Sequence, residues 1–388
     1  GLDRRMAQNA ITHLPYANVK AMATGWGRGV PDDYQMALMR ADIERGMAQG
    51  AVGVSFGIDY IAQCFSTTDE MIEACAPMSP HGLYVTHVRY KKGTLEGVQE
   101  AVEIGRRANV PVHISHFKGT TPQQIDELLS YVDGTARNEV SFSFDVYPYL
   151  PGSTMLNFLL PYDVWEEGPL SVLPKLRDRR VRREFARGLA ATDLKNVHIA
   201  WLPSRDNAHH IGKLLSDYVA EVGKAPEDAL CDLLIEENLA VLLVFHHGDD
   251  SLIGEFLAHD CYMMGTDGIY FPDGRVHPRM YGSAPRLLGP CVRDSKLFTL
   301  EEAVAKLSDR PARRFGCAER GQVREGWFAD LVVFDGDTVV DNATYAEPHQ
   351  LPTGIDHVLV NGAPVILKGA AVEDLGATLP GRSLSFQP

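Results

Sequence analysis

Three short stretches carry residues that could do hydrolytic chemistry. "YVTHVR" offers His87, "HISHFK" offers His113 and His116, and "MMGTDG" offers Asp267. Each closes an apolar run that reads as a β-strand. Neutral imidazoles from adjacent strands suit zinc, and a carboxylate can ligate the metal or take a proton from its bound water. Side chains alternate along a strand, so of His113 and His116 only one can face inward. His116 lies nearer the strand's C-terminal end and shares a face with Val112 and Ile114. It is therefore expected to face inward, with His87 at the same place on the preceding strand, while His113 is expected to be structural. Lys118, Tyr147 and Arg279 follow presumed strand ends. Cations near a metal suit a substrate carboxylate, Arg through a bidentate fork, although these residues alone read first as surface charge. The adjacent pairs His209-His210 and His246-His247 read as surface or structural residues, or as parts of a mobile lid. "GVSFG", residues 53–57, matches the G-x-S-x-G nucleophile elbow and offers a second mechanism, a serine hydrolase using Ser55. That motif needs an immediate strand-to-helix turn, whereas "IDYIAQCFSTTDE" reads as a loop.

These residues need a scaffold that brings strand ends together, and the pattern supplies one. "DYQMALMRADIERGMAQG" has apolar residues at helical spacing and stops at Gly50; "AVGVSFG" follows as a buried strand. The alternation continues through a helix at "TTDEMIEACAPM", a strand at "GLYVTHVR", a helix at "TLEGVQEAVEIGRRAN" and a strand at "VPVHISHFK". A helix opened by Thr-Pro and the strand "VSFSFDVYPY" come next. Strand and helix in this rhythm mean parallel β/α units, a barrel or a doubly wound sheet, and a barrel's active site sits at the C-terminal strand ends. A mostly helical excursion is expected from about 155 to 260, after which the rhythm returns at "CYMMGTDG". Thr299 and Glu302 have capping-box spacing. The tail from 319 to 388 reads as a separate β-rich lobe with a hairpin at Asn361-Gly362, leaving 1–318 as the barrel domain.

Composition narrows the partners. The chain has 388 residues and a formal net charge of −14, with no basic run, so nucleic acid and anionic membrane are poor partners. No apolar stretch approaches the roughly 18–20 residues of a membrane span. Six scattered cysteines without a CxxC pair read as reduced thiols, which makes the cytoplasm the expected compartment.

Taken in order, "AVGVSFGIDY", "YVTHVR", "ISHFK", "DVYPYLPGSTML", "GTDG", "HPRMYGSAPRLLG", "RPARRFG", "RGQVREGWFADLVVFD" and "GIDHVLVNG" resemble the D-aminoacylases, the N-acyl-D-amino-acid deacylases of the amidohydrolase superfamily. The resemblance runs from about residue 35 onward. It implies a (β/α)8 TIM barrel with a small β-sandwich lobe, and zinc-dependent hydrolysis of the amide of a small-molecule N-acyl-D-amino acid. It also implies His87 and His116 as zinc ligands, Asp267 as general acid/base, and Lys118, Tyr147 and Arg279 as holders of the substrate carboxylate. A cyclic-amide hydrolase of the hydantoinase or dihydroorotase kind is the alternative on the same fold. The family's first-strand His-x-His and its Asn-Cys-Gly cysteine are absent, and Cys64 lacks that context. Tyr90-Lys91-Lys92 replaces an expected acidic residue. The chain opens "GLDRRMAQ", without a methionine, so strands 1 to 3 and the small lobe's N-terminal strands are expected upstream of Gly1. On that account this chain alone could be a truncated, inactive amidohydrolase.

Overall fold

The computed structural model describes residues 2–246 and 248–387. Its main layer is a parallel sheet of six strands: β1 (Leu14–Pro15), β2 (Gly53–Gly57), β3 (Leu83–His87), β4 (Val112–Ile114), β5 (Phe142–Val146) and, after a long excursion, β9 (Tyr262–Met264). They are hydrogen-bonded in the order β1-β2-β3-β4-β5-β9. Helices α1 (Tyr16–Thr24), α2 (Asp33–Ala48), α3 (Thr68–Cys75), α4 (Thr94–Ala108) and α5 (Pro122–Tyr131) connect and cover them, which is the barrel-type arrangement of β/α units. β1 is a strand that the sequence reading did not identify. Leu14 and Pro15 pair in parallel with Val54 and Ser55. A two-residue strand ending in proline shows no alternation and carries no signal of its own.

Local chemistry sets the helix boundaries. Thr67 and Thr121 accept from the backbone N–H groups of Glu70 and Gln124 at the starts of α3 and α5, caps worth about 1 kcal/mol each. The Thr299–Glu302 capping box is present at the helix Leu300–Leu307. Gly50 follows α2 at φ +94, a conformation glycine adopts without strain.

The two faces of the sheet pack differently. Val54, Phe56, Tyr84, Val112, Ile114, Phe142 and Phe144 point outward into the core shared with the helices. Val52, Leu83 and Val85 point inward, against Ile11, Phe315 and Phe386. His113 is in register with Val85 and Ser143, so it is His113 that faces inward, and Val112 and Ile114 face the helices. The alternation argument placed the wrong histidine inside, because the strand is shorter than its apolar run and ends at Ile114.

The excursion after β5 is helical in large part. It also holds a three-stranded antiparallel sheet of β6 (Ser153–Met155), β8 (Leu242–Phe245) and β7 (Val197–Trp201), in that order. The runs "VHIAW" and "LLVF" are short and, apart from His198, apolar, and periodicity alone does not separate them from buried helix. A further antiparallel sheet joins β10 (Leu331–Phe334), β11 (Ile355–Val360), β12 (Ala363–Leu367) and β13 (Ala370–Ala371), with Asn361-Gly362 turning β11 into β12. Residues 379–386 then run back along the chain's first residues, with bonds from Arg4 N to Gly381 O, Leu384 N to Ala10 O and Phe386 N to Gly50 O. Among the described residues no helix is long and apolar enough to cross a membrane.

Candidate active site

His87 is the last residue of β3, and His116 lies two residues beyond the end of β4. The chain turns at His116 with φ +43, a left-handed backbone that non-glycine residues adopt only when held. The hold is Asp145 on β5, whose Oδ1 accepts from the His116 backbone N–H at 3.0 Å. Asp145 Oδ2 also accepts from His113 Nε2 at 2.8 Å, and Ser143 donates to His113 Nδ1 at 2.8 Å. His113 is thus a buried structural histidine that fixes the carboxylate beneath the turn.

The turn brings His116 Nε2 to 3.0 Å from His87 Nδ1. Each ring has a polar neighbour facing its other nitrogen. Tyr90 Oη lies 3.2 Å from His116 Nδ1 and also donates to the carbonyls of Ser115 and His116, so Nδ1–H of His116 faces an oxygen that accepts. Asp59 Oδ2 lies 3.4 Å from His87 Nε2. Burial, then the neighbouring His87, hold the His116 imidazole well below its ordinary pKa, so it is neutral and able to donate a lone pair. The donor chemistry fits a zinc ion between the two facing nitrogens, but it supplies two of the three or four protein ligands that zinc sites use. Among the described residues, the group of three metal-capable side chains lies elsewhere, at His209, His210 and Glu221. There the Lys213 ammonium already bonds His210 Nδ1 at 3.2 Å and Glu221 at 2.6 Å.

Both histidines line a cavity of about 470 Å³ together with Lys118, Tyr147 and Asp267. Asp267 has φ +45, a second left-handed residue at the same strand-end surface. Its carboxylate pairs with Arg279 at 2.9 Å, yet desolvation by the cavity walls outweighs that cation and pushes the carboxyl above its ordinary range. Arg279 is almost fully buried, with its guanidinium 4.4 Å from the centre of the Tyr147 ring, and its Nε has no partner among the described residues. Lys118 donates to Tyr147 Oη at 2.8 Å and to the Leu150 carbonyl at 2.6 Å, which leaves one of its three donors free. The opposite wall is apolar: Met155, Phe158, Phe245 and Ile269.

Five of the six residues expected at the site, His87, His116, Lys118, Tyr147 and Asp267, line the cavity; Arg279 does not, and lies buried behind Asp267 and Tyr147. Ser55 is not an elbow. β2 runs in register with β3 from Gly53 to Gly57, and a loop follows, so the sharp turn that exposes a nucleophile is missing. Cys64 is buried, its thiol pushed up to about 11, and it does not line the cavity. His210 is buried against Tyr218 while His209 is exposed, and His246 meets His198; His247 lies outside the described residues. Asp59, Tyr90 and Asp145 were not identified as site residues from sequence. The available signal for Asp59 was its place two residues past a strand end.

A family model described as "Amidohydrolase family" matches residues 240–366. The chain is 35% identical over 365 residues to a D-aminoacylase of Alcaligenes xylosoxydans xylosoxydans, covering 92% of this chain and 67% of that protein. It is 31% identical to an N-acyl-D-aspartate deacylase of the same organism, covering 98% and 69%. Among solved structures it is similar to the N-acyl-D-glutamate deacylase of Bordetella bronchiseptica, complexed with zinc and a phosphonate mimic of the tetrahedral intermediate. That likeness has a TM-score of 0.81 at 29% identity and covers 98% of this chain and 72% of the other. The chain spans about two thirds of the length of the curated relatives it matches.

Proposed function

The chain belongs to the D-aminoacylase family of the amidohydrolases, and from that premise we propose that it hydrolyses the amide of N-acyl-D-amino acids, giving a carboxylate and a free D-amino acid, with zinc as its metal. The observation that carries this reading is the approach of His87 Nδ1 to His116 Nε2 at 3.0 Å in the cavity that also holds Asp267. These two nitrogens would hold the metal, and a zinc bound there supplies carbonyl polarisation and a water of lowered pKa.

The chain's own residues do the rest. Asp267 takes the proton of the attacking water and delivers it to the leaving nitrogen; its raised pKa brings it closer to the working pH, where a base that must also act as an acid is most effective. The free donor of Lys118 suits the substrate carboxylate, and Arg279, held against Tyr147 and Asp267, adds its positive charge behind it. Tyr147 fixes both cations, one by hydrogen bond and the other against its ring. The relatives that carry the likeness act on linear N-acyl amino acids by their names, which favours this substrate over a cyclic amide.

A second reading has one observation behind it. Two imidazoles are few for a zinc site, and this favours an amidohydrolase fold without turnover. The test is elemental analysis of folded chain after zinc reconstitution, followed by amine release from N-acetyl-D- and N-acetyl-L-amino acids. Near one zinc per chain and release from the D series supports the hydrolase. A folded chain without zinc supports the inactive reading, and activity indifferent to chelators refutes the metal mechanism.

A further inference from the structure

We infer that Asp59 is a positioning residue of the zinc site: it holds His87 as the Nε2–H tautomer and so presents the Nδ1 lone pair to the metal. The inference rests on the zinc reading above. His87 has two nitrogens and two neighbours. Nδ1 faces His116 Nε2 at 3.0 Å, and Nε2 faces Asp59 Oδ2 at 3.4 Å. A metal shared by the two histidines takes the facing pair, so Nε2 must carry the proton. That nitrogen is buried and makes no well-directed hydrogen bond among the described residues, and the carboxylate is the acceptor placed to receive its proton. Metal-bound histidines commonly donate their other N–H to a carboxylate, which fixes the tautomer and strengthens the ligand.

Asp59 is built for a fixed role. Its side chain is fully buried. Tyr162, from the excursion, donates to Oδ1, and the Lys91 backbone N–H donates to Oδ2 at 3.3 Å. The Lys91 ammonium is turned away, donating to the Leu160 carbonyl at 3.1 Å beside the Phe158 and Tyr162 rings. The carboxylate is therefore anchored by two donors and retains a lone pair toward His87. Asp59 cannot join His116 on one metal through His87 Nδ1, because it stands on the opposite edge of the ring.

The test uses the full chain and two variants, Asp59→Asn and Asp59→Ala. Zinc affinity is read by competition with a chromophoric chelator. The His87 tautomer is read by two-bond proton–nitrogen spectra of zinc-free protein labelled at histidine nitrogen. The parent is expected to bind zinc and to show Nε2–H at His87. Asp59→Asn, which keeps an acceptor oxygen without its charge, should bind about tenfold more weakly; Asp59→Ala should approach a hundredfold and shift the tautomer toward Nδ1–H. A folded variant with parental affinity and tautomer overturns the inference, and Asp59→Asn carries the test if the alanine variant fails to fold. A parent that binds no zinc defeats the zinc reading instead. The spectra then decide Asp59 alone: an Nε2–H signal lost in Asp59→Ala sustains its hold on the ring, and an unchanged one removes it.

Discussion

Among the described residues two pairs of imidazoles meet nitrogen to nitrogen, in different surroundings. At the strand ends His87 and His116 face each other in a cavity, with a carboxylate and a phenol behind them. In the excursion, His198 on β7 faces His246 just after β8, and the outer nitrogen of His198 donates to the Arg275 carbonyl at 2.7 Å. The second pair is packed beside Tyr345 and, among the described residues, has no carboxylate hydrogen-bond partner. The approach of two ring nitrogens is thus not by itself a metal site. An anion behind the ring, a second carboxylate in reach and open volume in front distinguish the first pair, whereas the second is a structural link between two strands.

Zinc separates the pairs most sharply. His87→Ala and His116→Ala should each abolish zinc retention and deacylase activity, while His198→Ala keeps the zinc content of the parent; equal loss in all three, measured by elemental analysis, would erase the distinction. Next in size is Asp267→Asn, expected to lower kcat by about 10²–10⁴ with zinc retained, the range for a lost general acid/base. Lys118→Ala should mainly raise KM, by about tenfold for each 1.4 kcal/mol of carboxylate binding removed, and a fall in kcat alone would place Lys118 elsewhere in the reaction. The excursion pair is tested by the pH dependence of stability and not by turnover. Burial lowers the His198 pKa from 6.5 to about 4. A histidine depressed on folding stabilises the fold above the unfolded pKa, and that contribution is lost as pH falls from about 6.5 to 4, roughly 3 kcal/mol in all. Urea midpoints should fall across that window in the parent, and less steeply in His198→Gln.

Much of this organisation is legible in the sequence, and the gaps have physical causes. The β/α rhythm identified β2 to β5 and β9, because long amphipathic helices such as α4 alternate with short apolar strands. β1 escaped because two residues carry no period. The pairing of His87 with His116 followed from their places at strand ends, but the alternation argument for His116 failed. It assumed a strand continuing to His116, where the chain instead turns left-handed over Asp145. Asp59 and Tyr90 were not assigned because their roles depend on which ring nitrogen they face, which spacing does not encode. Lys118, Tyr147 and Arg279 have individually unremarkable sequence contexts, and the cavity that assembles them exists only in three dimensions.

The return of residues 379–386 across the first residues has a kinetic consequence. Arg382 N–H bonds Asn9 Oδ1 across 373 residues of chain, and Phe386 fills the interior below Val85. Contacts this distant in sequence carry a large loop-closure entropy and slow the folding of any chain that depends on them. During synthesis the inward faces of β2 and β3 emerge more than 290 residues before Phe386, which is made after everything it packs against. The barrel interior therefore completes its packing late, and until then Val52, Leu83 and Val85 present an apolar surface on which chaperones or other nascent chains can compete.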